Sequence, residues 1–438
     1  MNRFIILVFL SILALNAFSQ NSKHVLLVSI DGLRPDFYNN DQWIAPTLKQ
    51  LKKEGVYANK NYGIFPSVTY PSHTTIITGT LPARHGIYYN APFEAPPSRW
   101  YWEENFIKVP TLWDAVKSKG MTSGSVMWPV TVGAPIDYNI PVKRPDGDET
   151  TDQLTVTKPH ITPQKMVPEM ITALGGLSQE DFRYDRVDIT IGRTAAHIIK
   201  KYKPNLMAVH FINLDHIQHD GGKNGPEVQR ALTVIDSMLN VLITTLKEAG
   251  IYHSTNIIIT GDHGFVDVSK TFSPNVILAR EGLISKDNWT AKFLASGGSA
   301  FLYMKNKNDK ATLDKIGNLL NAVPAEQRKT FRIIERDELD QLGANPEVVM
   351  ALALEDGTAG ANNMQGQQFV VKKKTTGSHG QHPRLPGMET GFIAFGPDII
   401  SNSYIKEISL PDISPLVSRL LNLNFTAPDG KLVPGILK

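Results

Sequence analysis

Asp215 and His219 stand four residues apart in Asp215-His216-Ile217-Gln218-His219. One helical turn puts such a pair on one side, where a carboxylate and an imidazole can share a cation. Gly261-Asp262-His263-Gly264 sets a second carboxylate beside a second imidazole. The flanking glycines permit a turn that splays both toward one ion. Gly377-Ser378-His379-Gly380 supplies a third imidazole between glycines. Carboxylate and imidazole donors together suit zinc in a hydrolytic site. A lone buried His usually serves packing, but three such pieces at strand ends read as ligands. Thr69 precedes Tyr70-Pro71-Ser72-His73, and a helix is expected to start near Pro71, where Pro is tolerated. A hydroxyl just ahead of a helix N-terminus sits where phosphoryl oxygens are stabilised. The same spacing also fits a plain Thr cap.

Strands and helices alternate along the chain. His24–Ile30 is a continuous β-rich run ending at Asp31-Gly32, as in a parallel strand buried on both faces. Further strands are expected at Thr122–Met127, Leu206–Ile212, Asn256–Thr260 and Phe392–Phe395. Helices are expected at Ala45–Gly55, Thr111–Lys119, Gln164–Leu174, Val187–Lys201, Val228–Ala249 and Pro411–Leu420. This order predicts an α/β fold, a doubly wound, mostly parallel sheet flanked by helices. Asp31, Asp215 and Asp262 then fall at or just past the C-terminal ends of strands, where such sheets bind ligands. Three carboxylates at one sheet edge repel unless cations hold them. Ala91–Asn105 and Pro141–Pro163 read as long surface loops that shape a pocket. Residues 265–375 read as an insertion on the same domain, with a helix at Asp309–Ala322.

Composition narrows the classes. With 42% hydrophobic and 20% charged residues, the 438-residue chain is globular rather than disordered. Zero Cys excludes disulfides, thiolate metal sites and a thiol nucleophile. A net charge of +3 is too small to favour a nucleic-acid polymer as partner. Met1–Gln20 reads as a secretory leader: Arg3 starts it, Phe4–Leu15 is apolar, and Ala17 and Ser19 fit cleavage after Ser19. The apolar run is too short to span a bilayer. No Cys follows it for a lipid anchor, and no later segment is apolar enough to cross a membrane. The expected product is an exported protein, periplasmic or secreted. Residues 20–438 are expected to form a single catalytic domain.

Several pieces occur together in one order over residues 24–397. They are Ser29-Ile30-Asp31-Gly32-Leu33-Arg34, the Thr69–His73 segment, Thr78-Gly79 with Pro82, His85-Gly86-Ile87 and the three His motifs. In this the chain resembles the nucleotide pyrophosphatase/phosphodiesterase family of the alkaline phosphatase superfamily. The resemblance implies an alkaline-phosphatase-like fold with loop and cap insertions, and two Zn²⁺ about 4 Å apart. Asp215, His219 and His379 resemble the ligands of one zinc. Asp31, Asp262 and His263 resemble those of the other, with Thr69 bridging toward it as nucleophile. Asn90 matches an Asn that donates to a phosphoryl oxygen, and Tyr70 holds a position that stacks on a base. The implied activity is hydrolysis of phosphodiester or pyrophosphate bonds of small molecules, nucleotides above all, through a phosphothreonine.

Other residues carry blander expectations. His73 and His85 are expected to make structural hydrogen bonds, and His216 to point away from the metals. His382 is a possible substitute ligand. Lys372-Lys373-Lys374 reads as a solvated face, and Trp100-Tyr101-Trp102 as loop packing or a stacking platform. The chain departs from the family at Ser72, at Asn213-Leu214, at Gln218 and at Gln381-His382. His210 also stands where the family often has an aromatic used against the base, which puts the nucleotide pocket in question. Two alternatives stay open. One is a phosphate monoesterase or phosphonate hydrolase, for which Lys143 and Arg144 are the nearest extra cations. The other is a non-catalytic binding protein. A sulfatase would need formylglycine, which Thr69 cannot supply.

Overall fold

The computed structural model describes residues 23–146, 151–355 and 357–438. The leader at Met1–Gln20 lies outside the described residues. The main sheet has eight strands: His24–Ile30 (β1), Val56–Tyr62 (β2), Ser123–Val126 (β3), Tyr138–Ile140 (β4), Leu206–Phe211 (β5), Thr255–Thr260 (β6), Phe392–Phe395 (β7) and Ser403–Ser409 (β8). Their order across the sheet is β8-β2-β7-β6-β1-β5-β3-β4. Only β7 runs antiparallel to its neighbours; every other adjacent pair is parallel. β1 is central because its aliphatic side chains find cover on both faces. Val28 and Ile30 join one core cluster and Val25 and Leu27 the other. The result is the doubly wound, mostly parallel α/β architecture expected from the sequence.

β2, β4 and β8 were absent from the sequence expectation. β2 and β8 carry exposed Lys, Asn and Glu, and β4 is three residues long, so none shows a buried run. The helix expected near Pro71 spans Thr69–Thr78, so Thr69 opens its first turn rather than preceding it. The 141–163 loop contains a short helix, Gln153–Thr157, and a 3₁₀ turn, Lys158–His160. In the 91–105 loop Trp102 is fully buried.

Between β6 and β7 the chain builds two smaller sheets. One has three strands, Thr358–Gly360, Val266–Phe272 and Val370–Ser378. The other has four, Phe331–Ile334, Met350–Leu354, Ser299–Met304 and Ala291–Ser296, beside the helix Lys310–Asn321. The three-stranded sheet matters for the site, because Val370–Ser378 delivers His379.

Gly377 fixes how closely the Asn213–Gly221 helix approaches that strand. A Cβ there would come within 2.2 Å of the Gln218 carbonyl oxygen. The Gly377 carbonyl also accepts from His219 Nδ1 at 3.1 Å. Gly377→Ala is expected to cost about 1–3 kcal/mol as overpacking against rigid backbone. Denaturant unfolding should read this as a lower midpoint; an unchanged midpoint would mean the helix shifts freely.

Candidate metal centre and catalytic threonine

Three strand ends and one helix start converge. Asp31 follows β1, Asp262-His263 follows β6, and the Asn213–Gly221 helix that carries Asp215 and His219 begins just after β5. Parallel neighbours end on the same side of the sheet, which is why residues so far apart in sequence meet.

The imidazoles are oriented by backbone. His219 Nδ1 faces the Gly377 carbonyl, His379 Nδ1 the Ser67 carbonyl at 2.9 Å, and His263 Nδ1 the Gly264 carbonyl at 3.2 Å. A carbonyl only accepts, so each Nδ1 carries the proton and each Nε2 is aimed inward. The three Nε2 atoms meet carboxylate oxygens. His263 Nε2 lies 3.2 Å from Asp31 Oδ1 and 3.3 Å from Asp262 Oδ2. His219 and His379 Nε2 lie 3.4 and 3.5 Å from Asp215 Oδ1. Asp31 Oδ1, Asp215 Oδ1 and Asp262 Oδ2 are buried and accept no hydrogen bond. Lone pairs thus face lone pairs, which is the donor arrangement of a cation site.

Two groups of ligand atoms each lie within 4.8 Å of one another: Asp215, His219 and His379, and Asp31, Asp215 and His263. Asp262 joins the second through His263. Its other oxygen, Oδ1, is held by the backbone N–H groups of Gly32 (3.1 Å) and His263 (3.0 Å). These residues fit metal ions. Thr69 Oγ1 lies 3.5 Å from His263 Nε2, at the edge of the same cluster.

Electrostatics agree with the geometry. Burial, and then the Asp31 charge, push Asp262 up to about 8. Burial opposes a charge on His263, yet Asp262 and Asp31 outweigh it and raise the imidazole to about 9. Burial would also raise Asp31, but the imidazoles of His210 and His263 beside it hold it well below the carboxylate range. His379 is held low by burial and by the imidazoles of His263 and His219. Without a cation, then, the cluster keeps protons that a metal must displace.

Other residues separate into groups. Asn90 Oδ1 accepts from the Tyr70 N–H at 2.9 Å, which turns its Nδ2 toward the cavity. The same bond occupies the Tyr70 N–H. Tyr70 lines the cavity but is only 3% exposed, with Trp100 and Trp102 edge-on to its ring. His73 holds the Thr69 carbonyl at 2.8 Å, and His85 meets Thr75 Oγ1 at 3.1 Å. His382 lies by Glu338 and Phe65, outside both ligand groups. His216 stacks on Tyr184, with centroids 3.6 Å apart. Lys372, Lys373 and Lys374 are exposed.

His210 does not face a base. Its Nδ1 donates to the Met127 carbonyl, and its Nε2 lies 3.3 Å from Asp31 Oδ2. Tyr184, at the head of the Tyr184–Tyr202 helix, adds a ring to the cavity wall beside Tyr70 and Trp100, where no motif marks it. Sequence reasoning also missed Asp188 and the role of Gln218. Buried Asp188 accepts from the N–H groups of Ile212 and Asn213, fixing the turn into the Asp215 helix. Gln218 accepts from Arg34 Nη1 at 2.7 Å and donates to the Gly32 carbonyl at 3.0 Å, tying that helix to the Asp31 turn. The cavity over Thr69 measures about 240 Å³. A larger groove of about 560 Å³ adjoins it, sharing Tyr184 and His216.

Residues 25–381 match the family of type I phosphodiesterases and nucleotide pyrophosphatases. Human ectonucleotide pyrophosphatase/phosphodiesterase family member 5 is 24% identical, over 97% of this chain and 80% of its own length. A bis(5'-adenosyl)-triphosphatase of Bos taurus is 24% identical over 93% of this chain and 80% of its length. Among solved structures, the murine family member 5 enzyme superposes with a TM-score of 0.67 at 22% identity, covering 95% of this chain and all of the other. An inactive threonine-to-alanine variant of that murine protein, in complex with AMP, gives a TM-score of 0.65 at 21% identity, over 92% and 96% of the two chains. The family match extends over most of the chain and includes the strand ends that carry the ligand cluster, so the chain belongs to the type I phosphodiesterase/nucleotide pyrophosphatase family, hydrolases of phosphoester and phosphoanhydride bonds.

Proposed function

We propose that this protein is an exported two-zinc hydrolase that cleaves phosphodiester or pyrophosphate bonds of nucleotides through a phosphothreonine on Thr69. The observation that carries the reading is the set of three buried, donor-free carboxylate oxygens facing three imidazole Nε2 atoms beside a hydroxyl. Asp215, His219 and His379 would hold one ion, and Asp31, Asp262 and His263 the other. Bound zinc supplies positive charge that lowers the pKa of the Thr69 hydroxyl and stabilises the departing oxygen. Thr69 Oγ1 then attacks phosphorus in line and the ester or anhydride oxygen leaves. Water cleaves the Thr69 ester, returning the hydroxyl and releasing a nucleoside monophosphate. Asn90 Nδ2 donates to a phosphoryl oxygen as charge grows there. His73 fixes the backbone of Thr69 through its carbonyl. Tyr70, Trp100 and Tyr184 line the cavity that would take the nucleotide. The leader reading supports export, and no helix of the described residues is long and apolar enough to cross a membrane.

Thr69→Ala should lower kcat on a p-nitrophenyl nucleotide diester by about 10³-fold or more while leaving bound metal in place. Turnover retained in that variant would overturn the nucleophile assignment. Metal loading should depend on pH. Asp262 near 8 and His263 near 9 must both lose protons to become ligands. Apparent zinc affinity of the stripped protein should therefore fall steadily as pH drops from about 9 to about 7, with protons released on binding. Competition with a chelator reads this directly, and a flat profile would argue against these two ligands.

A further inference from the structure

The cavity over Thr69 is lined by an arginine, Arg144, that has no carboxylate partner among the described residues. Lys143 and Arg144 are adjacent in sequence, yet their situations differ. Lys143 Nζ lies 3.2 Å from Asp146, whose carboxylate also accepts from Trp102 Nε1 and lies 3.5 Å from Arg99 Nη1. Arg144 makes no ion pair with any carboxylate among the described residues, although it is half-buried and lines the same cavity as Thr69 and Asn90. Its guanidinium carbon lies 5.5 Å from the Trp100 ring centroid and 5.8 Å from that of Tyr184. Those rings are themselves backed. Trp100 lies parallel to Trp102 at 6.0 Å, and Tyr184 is stacked on His216.

This arrangement sets the guanidinium over two aromatic rings. Aromatic contact satisfies the π surface of an Arg, not its N–H donors. A guanidinium has five donors and no acceptor, and its planar fork matches a phosphate or carboxylate. Asp146 pairs with the neighbouring Lys143 and anchors the loop, so among the described residues lining this cavity Arg144 is the arginine left without a carboxylate. A substrate with a single negative charge at the scissile phosphorus would leave it unanswered.

We propose that Arg144 is an anion subsite of the catalytic cavity. It receives a second anionic group of the substrate, a phosphate other than the one attacked by Thr69. The chain then favours nucleotides with more than one phosphate over singly charged diesters. The inference rests on the phosphodiesterase reading given above. A merely structural Arg144, packed on its rings, would affect all substrates alike.

The test compares ATP with p-nitrophenyl thymidine 5'-monophosphate on metal-loaded enzyme. In Arg144→Gln, the ratio of kcat/KM for ATP to that for the ester should fall roughly tenfold or more. Arg144→Lys, which keeps the charge, should recover a good part of that ratio. A second arm measures equilibrium binding of both compounds to Thr69→Ala protein, with and without Arg144→Gln, at several salt concentrations. The added substitution should weaken ATP selectively and flatten its salt dependence. Equal loss on both compounds, or a ratio changed by less than about twofold, would overturn the proposal. If the unsubstituted enzyme cleaves neither compound, the phosphodiesterase reading fails, while the binding arm still decides for or against the anion subsite.

Discussion

Three carboxylates that turn buried oxygens into one small volume repel one another strongly without a counterion. Asp31, Asp215 and Asp262 present oxygens that no hydrogen-bond donor reaches. The protein groups nearest them are imidazole Nε2 atoms, and the Nδ1 protons of those rings are already committed to carbonyls. Such a cluster is costly in a metal-free protein and favourable around divalent cations. The raised proton affinities of Asp262 and His263 express the same fact, for protons do in part what metals would do fully.

That constraint explains which secondary contacts the fold invests in. The three imidazoles and Asp262 are fixed by backbone groups rather than by mobile side chains. Asp262 Oδ1 is pinned by two N–H groups. The Asp215 helix is held at its start by Asp188 and at its fourth turn-facing residue by Gln218, which Arg34 locks in turn. Arg34 is itself held by Asp36, Asn224 and the Lys223 carbonyl. Ligand geometry is therefore set before any ion arrives, which is how a site keeps affinity without spending binding energy on reorganisation.

The sequence made the ligand cluster legible because its residues combine rare types with glycines at strand ends. Asp262-His263 between Gly261 and Gly264 is readable without a structure. The central strands β1, β5 and β6 were readable for the same reason, as apolar runs buried on both faces. β2 and β8 were not, because they lie toward the sheet edge and carry charged residues on an exposed face. Tyr184 was not, because a ring at the head of a helix has no periodic signature. His210 stands where the family often has an aromatic used against the base, and its strand position turns its Nε2 inward onto Asp31. Alternation along a buried strand decides which way a side chain faces, and a motif does not.

The metal cluster and the cavity wall are built on different parts of the chain. The ligands sit at sheet ends, where parallel pairing fixes their positions. The wall comes from the 91–105 and 141–146 segments and from the start of the Tyr184 helix. Those segments are joined by Asp146, which ties Trp102, Lys143 and Arg99 together. Burial disfavours its charge, but the Trp102 and Lys143 hydrogen bonds outweigh this and hold it below the ordinary carboxylate range. One carboxylate thus stands in for the regular secondary structure that the loops lack. Substitutions along these loops can therefore reshape the cavity while the carboxylate–imidazole cluster stays where the strand ends put it. The cluster and the cavity wall thus rest on separate supports, and only the first is enforced by the sheet.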